Sequence, residues 1–232
     1  MLSVEDNDSH DEEYCSDDNS ADYPKISEKL EVPKEWTYTM RRSMQEVVQG
    51  LFLGPYSAAT KSKLDSLLEH GITHIVCVRQ DIEAHFIKPN FPDKFKYLVL
   101  DIADNATENI IKHFKNVKSF IDEGLNSGGK VLVHGNAGIS RSAALVIAYL
   151  METFGLKQEK AYSILQQRRF CINPNDGFMA QLREYEPIYQ AEKSLPNSQE
   201  TLTNQRSKRT LHMTDGDQID NRQDTMDSSL SD

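Results

Sequence analysis

The run KVLVHGNAGISRSAALVIAYL, from Lys130 to Leu150, constrains this chain more than any other stretch. GGKVLVHG is its strongest strand signal, and the helix expected from Ser140 to Phe154 is mostly apolar. A helix without a polar face has to be buried, so both pieces belong at the centre of a fold. Between them lies a short loop of small residues. A buried strand that turns directly into a buried helix implies a sheet covered by helices, and the rest of the chain agrees with that.

Upstream, VVQGLFLG reads as a short strand and turn broken by Gly50 and Gly54. Leu64, Leu67 and Leu68 place a helix over Ser57 to His70 that stops at Gly71. ITHIVCV and KYLVLDI are buried β-branched strands. Ile110, Ile111, Phe114, Val117, Phe120 and Ile121 recur at three- and four-residue intervals in an amphipathic helix ending near Gly124. Glu159–Arg168 and Asp176–Glu192 complete the helices, the second capped by Asn175. Alternating strands and helices predict a three-layer α/β domain with a mainly parallel sheet and helices on both faces.

Composition sets the boundaries. Hydrophobic residues make up 38% and charged residues 27% of 232, low in apolar content for a wholly globular chain. Residues 1–34 are acidic and 193–232 polar, so both read as disordered tails flanking one domain at 35–192. A formal net charge of -10 speaks against a general nucleic-acid or anionic-membrane binder. There is no signal-peptide pattern and no apolar run of about 20 residues to span a bilayer. Cys15, Cys77 and Cys171 form no CxxC pair and no zinc pattern, which predicts a reduced intracellular protein without a metal or cofactor.

The chemistry is expected in the loop. Ligands in such sheets bind at the carboxyl ends of strands, where a loop feeds a helix N-terminus. Gly135, Ala137 and Gly138 are small enough for the backbone to close around a tetrahedral anion, with Asn136 and Ile139 completing the turn. Successive inward N–H groups can form an anion nest, and the helix after the loop adds partial positive charge. Arg141 is placed to grip two phosphate oxygens in parallel. With His134, Ser140 and Ser142 at fixed offsets, these residues point to phosphate. The nucleotide-binding pattern G-x-x-x-x-G-K-[ST] is absent.

The segment resembles the signature H-C-x-x-G-x-S-R-[ST] of protein tyrosine and dual-specificity phosphatases. His134, Gly138, Ser140, Arg141 and Ser142 match it, and Gly135 departs at the cysteine. GLFLGPYSAA, HGITHIVCV, FPDKFKYLVLDIADN and RRFCINPNDGFMAQLREYE extend the resemblance over roughly residues 37–190. It implies that active relatives attack phosphorus with the cysteine thiolate while an aspartate protonates the leaving oxygen. The position matching that acid is Asp104; Asp101 falls within the strand. By the same resemblance Ser142 matches the hydroxyl that stabilises the departing thiolate, and His134 a residue that orders the loop and lowers the thiol pKa.

Glycine supplies no nucleophile, and general acid catalysis by Asp104 does not replace the covalent step. Cys77, in a buried strand, and Cys171 read as packing residues. Losing a thiolate also removes a negative charge from beside the phosphate while Arg141 remains. The expectation is therefore a catalytically inactive relative that binds phosphorylated Ser, Thr or Tyr proteins. The resemblance further implies competition with active phosphatases, anchoring of MAP kinases and binding to an F-box ubiquitin-ligase adaptor, in nucleus and cytoplasm.

Alternatives are an active dual-specificity phosphatase, an interaction scaffold that leaves the pocket empty, and an engineered glycine in an active enzyme. Trp36 and Tyr38 are expected to pack on the domain. Arg79, Arg168 and Arg169 read equally as a basic surface around the pocket or as solvated and paired charges. Asn173, Pro174 and Asn175 read as a turn and helix cap. RSKR, at Arg206–Arg209, has the composition of a short nuclear import signal.

Overall fold

A computed structural model describes residues 23–27, 33 and 35–194. Five strands form one sheet in the order β1-β2-β5-β3-β4: β1 Gln45–Val48, β2 Leu51–Pro55, β3 Ile72–Arg79, β4 Lys96–Asp101 and β5 Lys130–Gly135. β1 runs antiparallel to β2, and every other pairing is parallel. β5 lies in the middle, flanked by β2 and β3, and is buried from Val131 onward.

The helices are α1 Leu64–Glu69, α2 Ile111–Asn126, α3 Arg141–Phe154, α4 Gln158–Arg168 and α5 Asp176–Ser194. Strand alternation sorts the sheet's side chains onto two faces. Val76, Val78, Val131 and Val133 pack on α2, α3 and α5 through Phe114, Ile121, Leu145, Phe178 and Leu182. Phe52, Ile75 and Leu132 meet Leu67 of α1 and Phe95 on the other face. α3 is buried without interruption from Arg141 to Met151, as a helix without a polar face requires. It ends at Gly155, whose φ of 65° is left-handed.

The domain is the three-layer α/β arrangement expected, with local differences. VVQGLFLG is a hairpin of two strands, because Gly50, at φ 82°, turns the chain back on itself. The helix expected over Ser57–His70 is two short 3-10 turns, Tyr56–Ala58 and Lys61–Lys63, and then the six residues of α1. Leu68, one of the three leucines at helical spacing, is half exposed, since so short a helix buries little beyond Leu67. Trp36 is half-buried, whereas Tyr38 is 72% exposed and does not pack on the domain.

Within the stretch 1–34 expected to be disordered, residues 23–27 lie against the domain. Ile26 packs on the core, and the Tyr23 ring covers Gly155 so closely that a Cβ there would stand 2.4 Å from it. One compact unit runs to Glu192. Residues beyond Ser194, RSKR at 206–209 included, lie outside the described ones. No helix among the described residues is long and apolar enough to cross a membrane.

Candidate functional site

At the carboxyl end of β5 the chain leaves the sheet at Gly135, and α3 begins six residues later at Arg141. A cavity of about 400 Å³ opens there, lined by Gly135 to Ser142 together with Asp104, Asn173 and Asn175. The loop residues singled out from the sequence thus share one concave site. The acid position Asp104 joins them from the segment after β4.

The loop is held from behind. The Asn136 carbonyl accepts from Tyr56 N–H at 3.1 Å, and the Ile139 carbonyl from Asn173 N–H at 2.9 Å. The Ala137 and Gly138 carbonyls accept from Arg169, at 3.0 and 2.9 Å. With these four carbonyls turned outward, the N–H groups of Ala137, Gly138, Ile139 and Ser140 donate to no acceptor among the described residues. That is the polarity of an anion nest. Gly138 makes the turn possible: its φ is 68°, and a Cβ there would lie 2.3 Å from the Gly54 carbonyl oxygen.

Arg169 is the part that the sequence did not reveal. Its setting reads as that of a surface or paired charge, yet it is 0% exposed. Its five N–H donors go to the carbonyls of Gly138, Ala137, Ser43 and Arg41 and to Gln45 Oε1. That is the full donor capacity of a guanidinium. No carboxylate is among its acceptors, so a buried cation stands directly behind the phosphate loop. Arg168 is buried too and does not widen a basic surface.

Arg141 is 8% exposed and already half engaged. Nη1 and Nη2 donate to the Glu83 carboxylate at 2.5 and 3.1 Å, and Nη1 also donates to the Ile102 carbonyl at 3.1 Å. Glu83 does not line the cavity, whereas Arg141 does. Of the five donors, Nε–H and one Nη2–H are left, and these two lie parallel on one edge of the plane. This is the fork a phosphate accepts side-on. Glu83 carries no signal in the sequence; its hydrogen bond from Arg141 holds its carboxyl below the usual range, so the pair is ionic.

Asp104 sits at the rim, with its side chain 40% exposed. Its Oδ1 accepts from Ser140 Oγ at 2.7 Å and from Asn175 Nδ2 at 3.0 Å, and its Oδ2 lies 3.8 Å from Arg141 Nε. Asp101 stays at the end of β4, where its carboxylate accepts from Asp81 N–H, and it does not reach the cavity. Asn175 caps α5 by accepting from Phe178 N–H. It also steadies Asp104, so the NPN segment is part of the cavity wall as well as a turn.

Gly135 lines the cavity without a side chain. A Cβ built on Gly135 would lie 3.2 Å from Ser142 Oγ and 3.6 Å from the Val78 carbonyl oxygen. Ser142 Oγ, buried and without a hydrogen-bond partner, faces that space. His134 is fully buried beneath it, and burial pushes its pKa down to about 4. The imidazole is therefore neutral near pH 7 and lends the site no charge. Cys77 is buried in β3, where burial raises its thiol to about 11, and neither Cys77 nor Cys171 lines the cavity.

A parallel central strand that ends in a loop of open N–H groups, backed by an arginine and opening a buried helix, is the arrangement at the carboxyl end of β5. The chain belongs to the dual-specificity phosphatase family: residues 51–188 match the family described as dual specificity phosphatase, catalytic domain. Within it, the chain is 63% identical over 179 residues to the human serine/threonine/tyrosine-interacting protein, covering 77% of this chain and 80% of that one. The crystal structure of the human tyrosine phosphatase-like serine/threonine/tyrosine-interacting protein superposes with a TM-score of 0.64 at 68% identity, over 64% of this chain and 99% of that one. A MAP kinase phosphatase with leucine-rich repeats from Dictyostelium discoideum shares 37% identity over 162 residues, 70% of this chain but 22% of that protein.

Proposed function

We propose that this chain is a catalytically inactive phosphatase homologue that binds phosphorylated Ser, Thr or Tyr residues in proteins and regulates signalling by occupying or anchoring them. One observation carries the reading: the phosphate cradle is complete while the nucleophile position is a glycine. Four outward carbonyls are held, the inward N–H groups are open, and Arg141 keeps one edge without a hydrogen bond, with the Asp104 carboxylate 3.8 Å from its Nε. Gly135 offers only a hydrogen toward the anion. The buried Arg169 guanidinium supports the reading by holding the Ala137 and Gly138 carbonyls away from the cavity. The chain's likeness to proteins named for interacting with serine, threonine and tyrosine supports the same reading.

MAP kinases and an F-box ubiquitin-ligase adaptor are partners of this proposal by family resemblance, with action in nucleus and cytoplasm. The relative named as a MAP kinase phosphatase supports a protein partner in general.

The test compares phosphorylated and unphosphorylated forms of one peptide. The phosphorylated form should bind, and Arg141→Ala should weaken it by about 1.5–3 kcal/mol, the value of a hydrogen bond to a charged group. Purified protein should not turn over a generic aryl phosphate. Equal affinity for both peptides, or turnover that scales with protein and vanishes in Arg141→Ala, would overturn the reading.

A further inference from the structure

The two segments that grip the phosphate loop also carry apolar side chains into solvent. Seven large hydrophobic side chains are markedly exposed among the described residues, and three of them, Ile82, Phe86 and Phe170, sit on these two short segments. Ile82, 76% exposed, lies in the 3-10 turn Asp81–Glu83, one residue from the carboxylate that holds Arg141. Phe170, 65% exposed, stands between Arg169, bonded to the Gly138 carbonyl, and Asn173, bonded to the Ile139 carbonyl. The chain turns tightly there, with Ile172 N–H donating to the Arg169 carbonyl at 3.2 Å. Phe170 thus stands at the tip of a short turn, three residues before Asn173 of the cavity's lining.

The polar part of the mouth is open as well. Asn136 and Asn173 line the cavity, are exposed, and their side-chain amides bond to no other described residue. A primary amide offers a donor and an acceptor together, the complement of a peptide unit. Asp104 borders the same mouth and disfavours a second phosphate beside the first.

We infer that the mouth is a peptide-reading surface, and that the phosphoresidue it takes is flanked by apolar rather than acidic residues in an extended segment of the partner. Phe170 and Ile82 cover the apolar neighbours, and Asn136 and Asn173 hold the peptide backbone. This rests on the phosphate-binding reading and adds selectivity to it. A single phosphate is a small anchor available on every phosphoprotein. Burying one apolar side chain is worth about 1.5–3 kcal/mol in full, so half of that on each of two flanks selects among phosphopeptides by about tenfold or more.

The experiment measures fluorescence anisotropy on the full chain with phenyl phosphate as competitor and two labelled phosphopeptides, one with leucine and the other with aspartate on both sides of the phosphoresidue. Wild type should bind the leucine-flanked peptide about tenfold more tightly. Phe170→Ser and Ile82→Ser, at exposed positions that leave folding intact, should each reduce that preference several-fold and leave competition by phenyl phosphate within about twofold. Phosphate-selective binding that is indifferent to the flanks and to both variants would overturn this inference alone. Failure of phenyl phosphate and both peptides to bind would overturn the phosphate reading and this inference with it. Self-association of wild type that Phe170→Ser abolishes would assign the surface to a second copy of the chain. Capture by phosphoinositide vesicles regardless of Phe170 would assign the mouth to a lipid headgroup. Either result would overturn the peptide assignment.

Discussion

The back of the phosphate loop and its front are built to different degrees of completion. Behind, every carbonyl from Asn136 to Ile139 has a protein donor, and Arg169 gives two of its five N–H groups to them and the other three to Ser43, Gln45 and Arg41. In front, N–H groups stand open, Ser142 Oγ has no partner, and the position that would carry a nucleophile has no side chain. The difference separates two requirements that an active enzyme merges. Holding a phosphate needs the loop's shape and charge, and these come from behind. Breaking its ester bond needs one further group in front, and on the proposed reading Gly135 stands at that group's position.

The largest expected effect fills the front. Gly135→Cys should create a phosphatase where wild type shows no turnover. Gly135 is not in the left-handed region, and the nearest atom to the new Cβ is Ser142 Oγ at 3.2 Å, which holds no hydrogen bond that would resist a small shift. With His134 neutral, thiolate formation rests on the open N–H groups, the start of α3 and Arg141. In this background Asp104→Ala should lower kcat by about 10²–10⁴-fold if Asp104 is the general acid. A folded, phosphate-binding but inert Gly135→Cys protein would show that the front differs by more than one side chain. Activity indifferent to Asp104 would overturn its assignment as the acid.

A middle-sized effect dismantles the back. Arg169→Ala leaves four backbone carbonyls without their donor and should destabilise the domain by on the order of 3 kcal/mol in urea denaturation. Arg169→Lys, which keeps the charge but has three donors on a flexible stem, should recover part of that and still weaken binding of inorganic phosphate. Wild-type stability and phosphate affinity in both variants would mean that the loop keeps its shape without being held from behind.

The smallest effect lies where back and front meet. Glu83→Gln removes the carboxylate beside a nearly buried guanidinium and should cost about 1–2 kcal/mol at pH 7. Because the folded pKa of Glu83 is depressed by Arg141, its contribution is present above the unfolded value near 4.5. It is lost as pH falls through the lower, folded value. The stability difference between wild type and Glu83→Gln should therefore shrink below about pH 4.5. A difference that stays constant down to pH 3 would show that the pair acts through shape and not charge.

Much of the site is legible one residue at a time. The buried strand, tight loop and buried helix follow from local pattern, and Gly138 is demanded by a turn that a Cβ would block. The absence of a nucleophile at Gly135 is a property of one letter in a known signature. Elements whose length sets their fate are less legible. The Ser57–His70 segment breaks into short turns, and of its three leucines only Leu67 is fully buried.

What only the tertiary structure decided are the partners of the loop. Arg169 is 31 residues from Gly138, and Glu83 is 58 from Arg141. A charged residue inside a polar stretch has no periodicity to betray burial, and its sequence neighbours are the same whether it faces water or five acceptors. Local pattern determines strands, helices and turns because it acts through the backbone and one face of each element. The pairing of a guanidinium with carbonyls brought from separate segments exists only once the sheet has assembled and its ends have met.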